Sequence, residues 1–133
     1  MINLSNTNVL LLSAGMGKRL GKVGQKKPKS LIKIKNETLL MRIIKILIVR
    51  KAKKISIMVG YKSQMIKNEL KKLKKIKIKF IYVKEYKEYG HAYTWNSFSK
   101  FWDYKKNLLL LHTDMIFREK LLDNILNSKK QDI

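Results

Sequence analysis

The sequence predicts an α/β protein, a mostly parallel sheet with helices on both faces, in one continuous unit over residues 1–133. Short apolar runs suited to buried strands alternate with longer stretches whose apolar residues recur at helical spacing. The connections have helical length, which implies crossovers and therefore parallel strands between helix layers. The length and a 45% hydrophobic content suit one small domain with an ordinary core.

Thr7 to Ala14 reads as a buried strand closed by glycine, and Gly15 to Ser30 as a long loop. Leu31 to Ile34 reads as a short strand segment before a polar turn at Lys35-Asn36. From Thr38 to Ala52 the residues Leu39, Leu40, Ile43, Ile44, Leu47 and Ile48 mark an amphipathic helix. Ile55 to Val59 is the next strand, Lys62 to Leu73 a lysine-backed helix, and Lys77 to Val83 an alternating strand. His91 to Trp102 suits a helix, Asn107 to His112 a strand and Arg118 to Asn127 a last helix. In a parallel sheet the ligand crevice lies beyond the carboxyl ends of the strands. The loops after Ala14, Val83 and His112 therefore converge on one edge.

The formal charge is +22, from 31 Lys plus Arg against 9 Asp plus Glu. Such a balance attracts polyanions. Yet the cations are mostly lysine, spread through every segment alongside isoleucine and asparagine, a set that A/T-rich codons favour. Arginine, the better reader of phosphates and guanine edges, occurs only at Arg19, Arg42, Arg50 and Arg118. With no interleaved aromatics and no recognition helix, a basic nucleic-acid-binding module ranks well below an enzyme. The absence of cysteine excludes disulfides and thiolate metal sites. The N-terminus has no basic n-region, and Arg42 and Lys45 interrupt the longest apolar segment. A cytoplasmic protein without a membrane partner is expected.

The stretch "LLLSAGMGKRLGKVGQKKPKSL" carries the chemistry. Gly15 and Gly17 can reach positive φ and approach a ligand closely, and consecutive N–H groups in such a turn cradle anions. Arg19 offers a bidentate grip on phosphate and Lys29 a mobile point charge. The stretch is not a Walker loop, since no Gly-Lys-Ser/Thr ends it, and Leu20 stands where a dinucleotide fingerprint needs its third glycine.

"LLLSAGMGKRL" followed by "KPKSL" resembles the opening signature of the nucleotidyltransferases that activate sugar 1-phosphates. The resemblance continues through "IKNETLLMRIIKIL", "ISIMVGYKSQMIKNEL", "KEYGHAYTWNSF" and "NLLLLHTDMIF", in family order across nearly the whole chain. It implies a Rossmann-like fold of the nucleotide-diphospho-sugar transferase type. It also implies a nucleotide site formed by Leu12, Ser13, Ala14, Gly15, Met16 and Gly17, with Arg19 and Lys29 as the cations at the reacting phosphates. Gly90, His91 and Ala92 would support the nucleoside, although His91 replaces the usual threonine. Glu85 falls near the position where thymidylyl-transferring relatives carry a base-reading glutamine, which leaves the base open. Asp114 would anchor Mg²⁺, with Thr113 in place of the usual glycine. A lone aspartate after a strand is as often a turn or helix cap. His112, Trp95 and Trp102 read as structural, and Lys67, Lys71, Lys74 and Lys75 as a solvated face.

The implied reaction is attack by a sugar 1-phosphate on the α-phosphorus of a nucleoside triphosphate, releasing pyrophosphate, for activated sugars of surface polysaccharides. Cytidylyltransferases acting on phosphocholine or a methylerythritol phosphate, and molybdopterin guanylyltransferases, begin with similar blocks and form the alternative. Members of the family are longer, and their second half supplies the acceptor pocket and a second acidic metal ligand. The chain thus reads as a truncated, nucleotide-binding N-terminal part with little or no turnover alone. A missing C-terminal half, or a second chain in a homo-oligomer, would complete it.

Overall fold

The computed structural model describes residues 2–74, 76–84 and 96–128. Four strands form a parallel sheet: β1 (Thr7–Ser13), β4 (Lys54–Val59), β5 (Ile78–Tyr82) and β6 (Asn107–His112), in the order β5-β4-β1-β6. Central β1 pairs Leu10 with Ser56 on one side and with Leu110 on the other. The remaining strands, β2 (Lys33–Ile34) and β3 (Glu37–Thr38), make a separate antiparallel hairpin about the Lys35-Asn36 turn, where Lys35 takes φ 56°.

The expected loop from Gly15 to Ser30 is in part helical. It contains 3₁₀ turns at Lys18–Leu20 and Lys29–Leu31 and the short helix α1 (Lys22–Lys26). Leu31 thus closes a 3₁₀ turn and does not begin a strand. These turns are too short and too polar to show an apolar period, so periodicity could not reveal them. The longer helices are α2 (Leu39–Val49), α3 (Ser63–Leu70) and α4 (Glu119–Asn127).

Crossover handedness explains how the faces are covered. The steps β1 to β4 and β4 to β5 run the same way along the sheet, so right-handed crossovers place α2 and α3 on one face. There Leu40, Ile43, Ile44, Leu47, Ile66, Leu70 and, from α4, Leu122 join Val9, Leu11, Ile55, Ile57 and Leu111 in the main core. The return from β5 to β6 crosses back over β4 and β1, and so runs over the other face. Its described part includes a helical turn at 96–99, and Phe98 and Trp102 pack on Leu10, Met58 and Ile81. Trp102 is therefore a packing residue, as expected, while Trp95 and Lys75 lie outside the described residues.

Two polar devices tie the helices together. Thr38 caps α2 by accepting from Met41 N–H (3.2 Å), and its hydroxyl donates to Glu69 of α3 (3.0 Å). The fully buried Arg50 just past α2 is clasped by α4: Nε and Nη2 donate to Asp123 (3.1 and 3.0 Å), and Nη1 donates to Glu119 (3.1 Å). Nη2 also reaches the Glu119 carbonyl at 3.3 Å. The Arg50 hydrogen bonds hold the Asp123 carboxyl below its ordinary 3.8, and the Lys72 and Thr38 hydrogen bonds hold Glu69 below its ordinary 4.5. Carboxyls depressed in the folded state stabilise it above their unfolded pKa, and that contribution disappears as pH falls through their folded values. The melting temperature is expected to be flat from neutrality to about pH 5 and to fall below about pH 4. Asp123→Asn should flatten that acid limb; an unchanged limb in thermal melts would contradict the assignment.

Candidate functional site

From β1 the chain steps outward to β4 and β5, whereas β6 is added on β1's opposite side. The carboxyl ends of β1 and β6 therefore flank the switch point where open α/β sheets form their ligand crevice. A cavity of about 230 Å³ opens there, lined by Leu12, Ser13, Gly15, Gly17, Pro28, Lys29, Ser30, His112, Thr113 and Asp114. That volume suits the phosphate part of a ligand. A larger hollow, about 860 Å³, lies against α2 and residues 116–119 and shares no lining residue with the crevice.

The turn after β1 is shaped by three glycines, each for a different reason. Gly17 takes φ 61°, and a Cβ there would meet the Lys29 side chain at 3.0 Å. Gly15, contrary to expectation, does not adopt positive φ; no atom lies within 4 Å of where its Cβ would project, so its value is the open space it leaves to the crevice. Gly24 was not singled out by the sequence, yet it is the most constrained: its Cβ would fall 2.3 Å from the Gly17 carbonyl oxygen. Helix α1 thus packs directly on the glycine turn. Only the folded contact shows this, because a backbone atom seven residues away sets the constraint.

Lys29 follows Pro28, whose φ of −59° and accepted bond from Leu31 N–H (3.0 Å) fix the start of the 3₁₀ turn. Buried Ser30 receives the Ser13 hydroxyl at 2.8 Å, which ties this turn to the end of β1. Lys29 Nζ then stands 3.7 Å from Asp114 Oδ2 across the crevice. Both side chains are more than a third exposed, so the pair adds little to stability and can open for a ligand. Thr113, buried beside it, donates its hydroxyl (2.8 Å) and its N–H (3.3 Å) to the Leu12 carbonyl. A threonine therefore fits where a glycine was the expected residue, because its side chain is engaged between β1 and β6. His112, read as structural, lines the crevice.

The structure thus gathers Leu12, Ser13, Gly15, Gly17, Lys29 and Asp114. Ala14 is buried with its carbonyl held by Tyr61 N–H (3.2 Å), and Met16 is half-buried; neither lines the cavity. Arg19 also does not: it is the middle residue of the Lys18–Leu20 turn, exposed, with no hydrogen bond or ion pair among the described residues. A long cation left in water keeps its rotamer freedom until an anion orders it. Glu85, Gly90, His91 and Ala92 lie outside the described residues.

Tyr61 and Lys62, beyond β4, hold α1 from behind. The Tyr61 hydroxyl donates to the carbonyls of Gly24 (2.8 Å) and Gln25 (3.0 Å), and Lys62 Nζ donates to Lys26 O (3.2 Å). Through Gly24 this latch bears on Gly17. Tyr61→Phe is expected to weaken nucleotide binding several-fold while lowering stability by only about 1 kcal/mol. Titration calorimetry paired with a thermal melt checks this; a full loss of stability with unchanged affinity would reject the latch.

Among the described residues no cluster of three or more His, Asp or Glu could hold a metal alone, and no helix is long and apolar enough to cross a membrane. One carboxylate nevertheless fits Mg²⁺ chemistry, since that ion is commonly held by one or two carboxylates together with substrate phosphates.

The same architecture occurs in solved structures that include nucleotidyltransferases. The CTP:phosphocholine cytidylyltransferase of Streptococcus pneumoniae superposes with a TM-score of 0.72 at 21% identity, over 86% of this chain and 50% of that one. A Bacillus anthracis protein assigned as a glucose-1-phosphate thymidylyltransferase, in complex with sucrose, gives 0.76 at 16% identity, over 92% and 51%. HddC of Yersinia pseudotuberculosis complexed with GMP-PN gives 0.68 at 21%, over 90% and 54%. The chain spans about half the length of each of these structures. No curated protein sequence matches it. The model of the nucleotidyl transferase family matches residues 8–132, from β1 through the glycine turn and Lys29 to Asp114 and beyond, and the chain belongs to that family.

Proposed function

We propose that the chain is the nucleotide-binding part of an enzyme that transfers a nucleoside monophosphate from a triphosphate to a sugar 1-phosphate. The activated sugar would serve surface polysaccharide synthesis. The observation that carries this reading is the pair Lys29 and Asp114, facing one another 3.7 Å apart beside the glycine turn at the switch point. A phosphate oxygen of the acceptor forms the new bond to the α-phosphorus, the α–β anhydride bond breaks, and pyrophosphate leaves. Such a displacement requires positioning and charge neutralisation, not a protein nucleophile. The N–H groups around Gly15 to Gly17 would hold phosphate oxygens, Lys29 would offset the charge gathering at the reacting phosphorus, and Arg19 would close on the phosphates from solvent. Mg²⁺, held by Asp114 and the phosphates, would neutralise charge and align the leaving group.

A phosphocholine acceptor with CTP is the second reading, suggested by the likeness of fold to the CTP:phosphocholine cytidylyltransferase. Calorimetric titration of ATP, CTP, GTP, UTP and dTTP with Mg²⁺ is expected to single out one nucleotide. Pyrophosphate release with glucose 1-phosphate against phosphocholine then distinguishes the acceptors. Equal, salt-sensitive affinity for every nucleotide and for random RNA would reject both readings in favour of a generic polycation.

A further inference from the structure

At the opposite end of the sheet from the crevice, a second groove of about 540 Å³ opens beneath the turn at residues 101–103. Asn8, Lys54, Ser56 and Lys79 belong to the face that carries Leu10, Met58 and Ile81, and register brings them together: Asn8 pairs with Lys54, and Ser56 pairs with Lys79. Lys53 and Lys77 also line the groove. None of these four lysines forms an ion pair among the described residues. The one acid in the groove, Asp103, accepts from Lys105 N–H (3.1 Å) and shapes its own turn. Asn8 Nδ2 is the one buried side-chain polar atom among the described residues without a hydrogen-bond partner. An orphaned buried donor costs stability and calls for an explanation. The exposed Phe101 ring closes the groove, with Lys79 Nζ 4.3 Å from its centroid.

Like charges gathered on one face, a donor without an acceptor and a flat apolar surface together describe the complement of a phosphate ester. We propose that this groove binds one, with the phosphate between Lys54 and Lys79, the Asn8 amide turning out of its buried position to donate to it, and the organic part on Phe101. The ester belongs either to a free nucleotide or to one unit of a single-stranded nucleic acid, and the site is separate from the crevice. Its parts sit near the amino ends of β1, β4 and β5, and Asn8 is about 16 Å along β1 from Ser13 at the crevice.

The Asn8 side-chain amide resonances of the isotopically labelled chain provide the test. Titration with UMP and, separately, with decauridylate is expected to shift them saturably in the wild type and in Asp114→Ala. In Lys54→Gln/Lys79→Gln the affinity read from these shifts should fall at least about tenfold, with crevice binding unchanged. A shift with UMP identifies the free ester as sufficient; a shift with decauridylate alone identifies the strand. Silence with both, or shifts that persist in the double variant, overturns the proposal. Asn8→Leu gives an independent check: it should abolish the binding and raise the melting temperature. A lower melting temperature would show that the amide is satisfied within the fold, and would overturn it as well.

Discussion

Asp114→Ala is expected to lower Mg²⁺-dependent nucleotide affinity about 10- to 100-fold, and to leave Mg²⁺-free affinity unchanged or slightly higher. The opposite signs follow from charge. Asp114 faces Lys29 across the crevice, and under the proposed function a bare carboxylate there would repel a phosphate. Under the proposed function it would become favourable only with a divalent cation, which Asp114 would help to hold. Lys29→Ala should weaken binding by a similar factor with and without Mg²⁺, because its contribution is a direct charge-assisted contact. Paired titrations with Mg²⁺ and with a chelator read both patterns. Equal losses for Asp114→Ala in the two conditions would mean that the aspartate holds Lys29 in place and anchors no metal.

Arg50→Ala carries the largest expected cost in stability, roughly 3 kcal/mol, or about 10 °C in melting temperature for a chain of this size. Its guanidinium is buried between α2 and α4 and donates to two carboxylates and a carbonyl, so truncation removes packing and unties α4 together. Arg50→Met should recover part of the loss, since it refills the volume while Asp123 and Glu119, both partly exposed, turn to water. The pair separates packing from charge. Nucleotide affinity should change little, because Arg50 lies outside the crevice. Equal losses in both variants would assign the whole effect to the ion pairs.

Neither the Arg50 clasp nor Gly24 was legible in the sequence. Arg50 lies 73 residues from Asp123, and in a chain with 31 basic residues nothing sets one arginine apart as buried. Gly24 looks like one more residue of a polar loop until α1 folds onto Gly17. By contrast, the four strands of the parallel sheet were legible nearly to the residue, because β1 and β6 carry continuous apolar runs that suit a sheet covered on both faces, whereas the short hairpin strands β2 and β3 were not. The glycine turn, Pro28-Lys29 and Asp114 were legible for a related reason. Each is a local exception, and each follows or precedes a segment whose structure was already determined by its pattern.

The amino-acid sequence alone thus determined the four strands of the parallel sheet, the longer helices, and which family's motifs the loops carry. Apolar periodicity and backbone permissiveness are short-range properties, readable without partners. The tertiary structure decided which of these residues meet. It brought Lys29 to Asp114, left Arg19 in solvent, set Gly24 against Gly17, and gathered Asn8 with Lys54 and Lys79 at the other end. Contacts of that kind join residues far apart in the chain, and sheet order and crossover hand fix them through packing that no local pattern records.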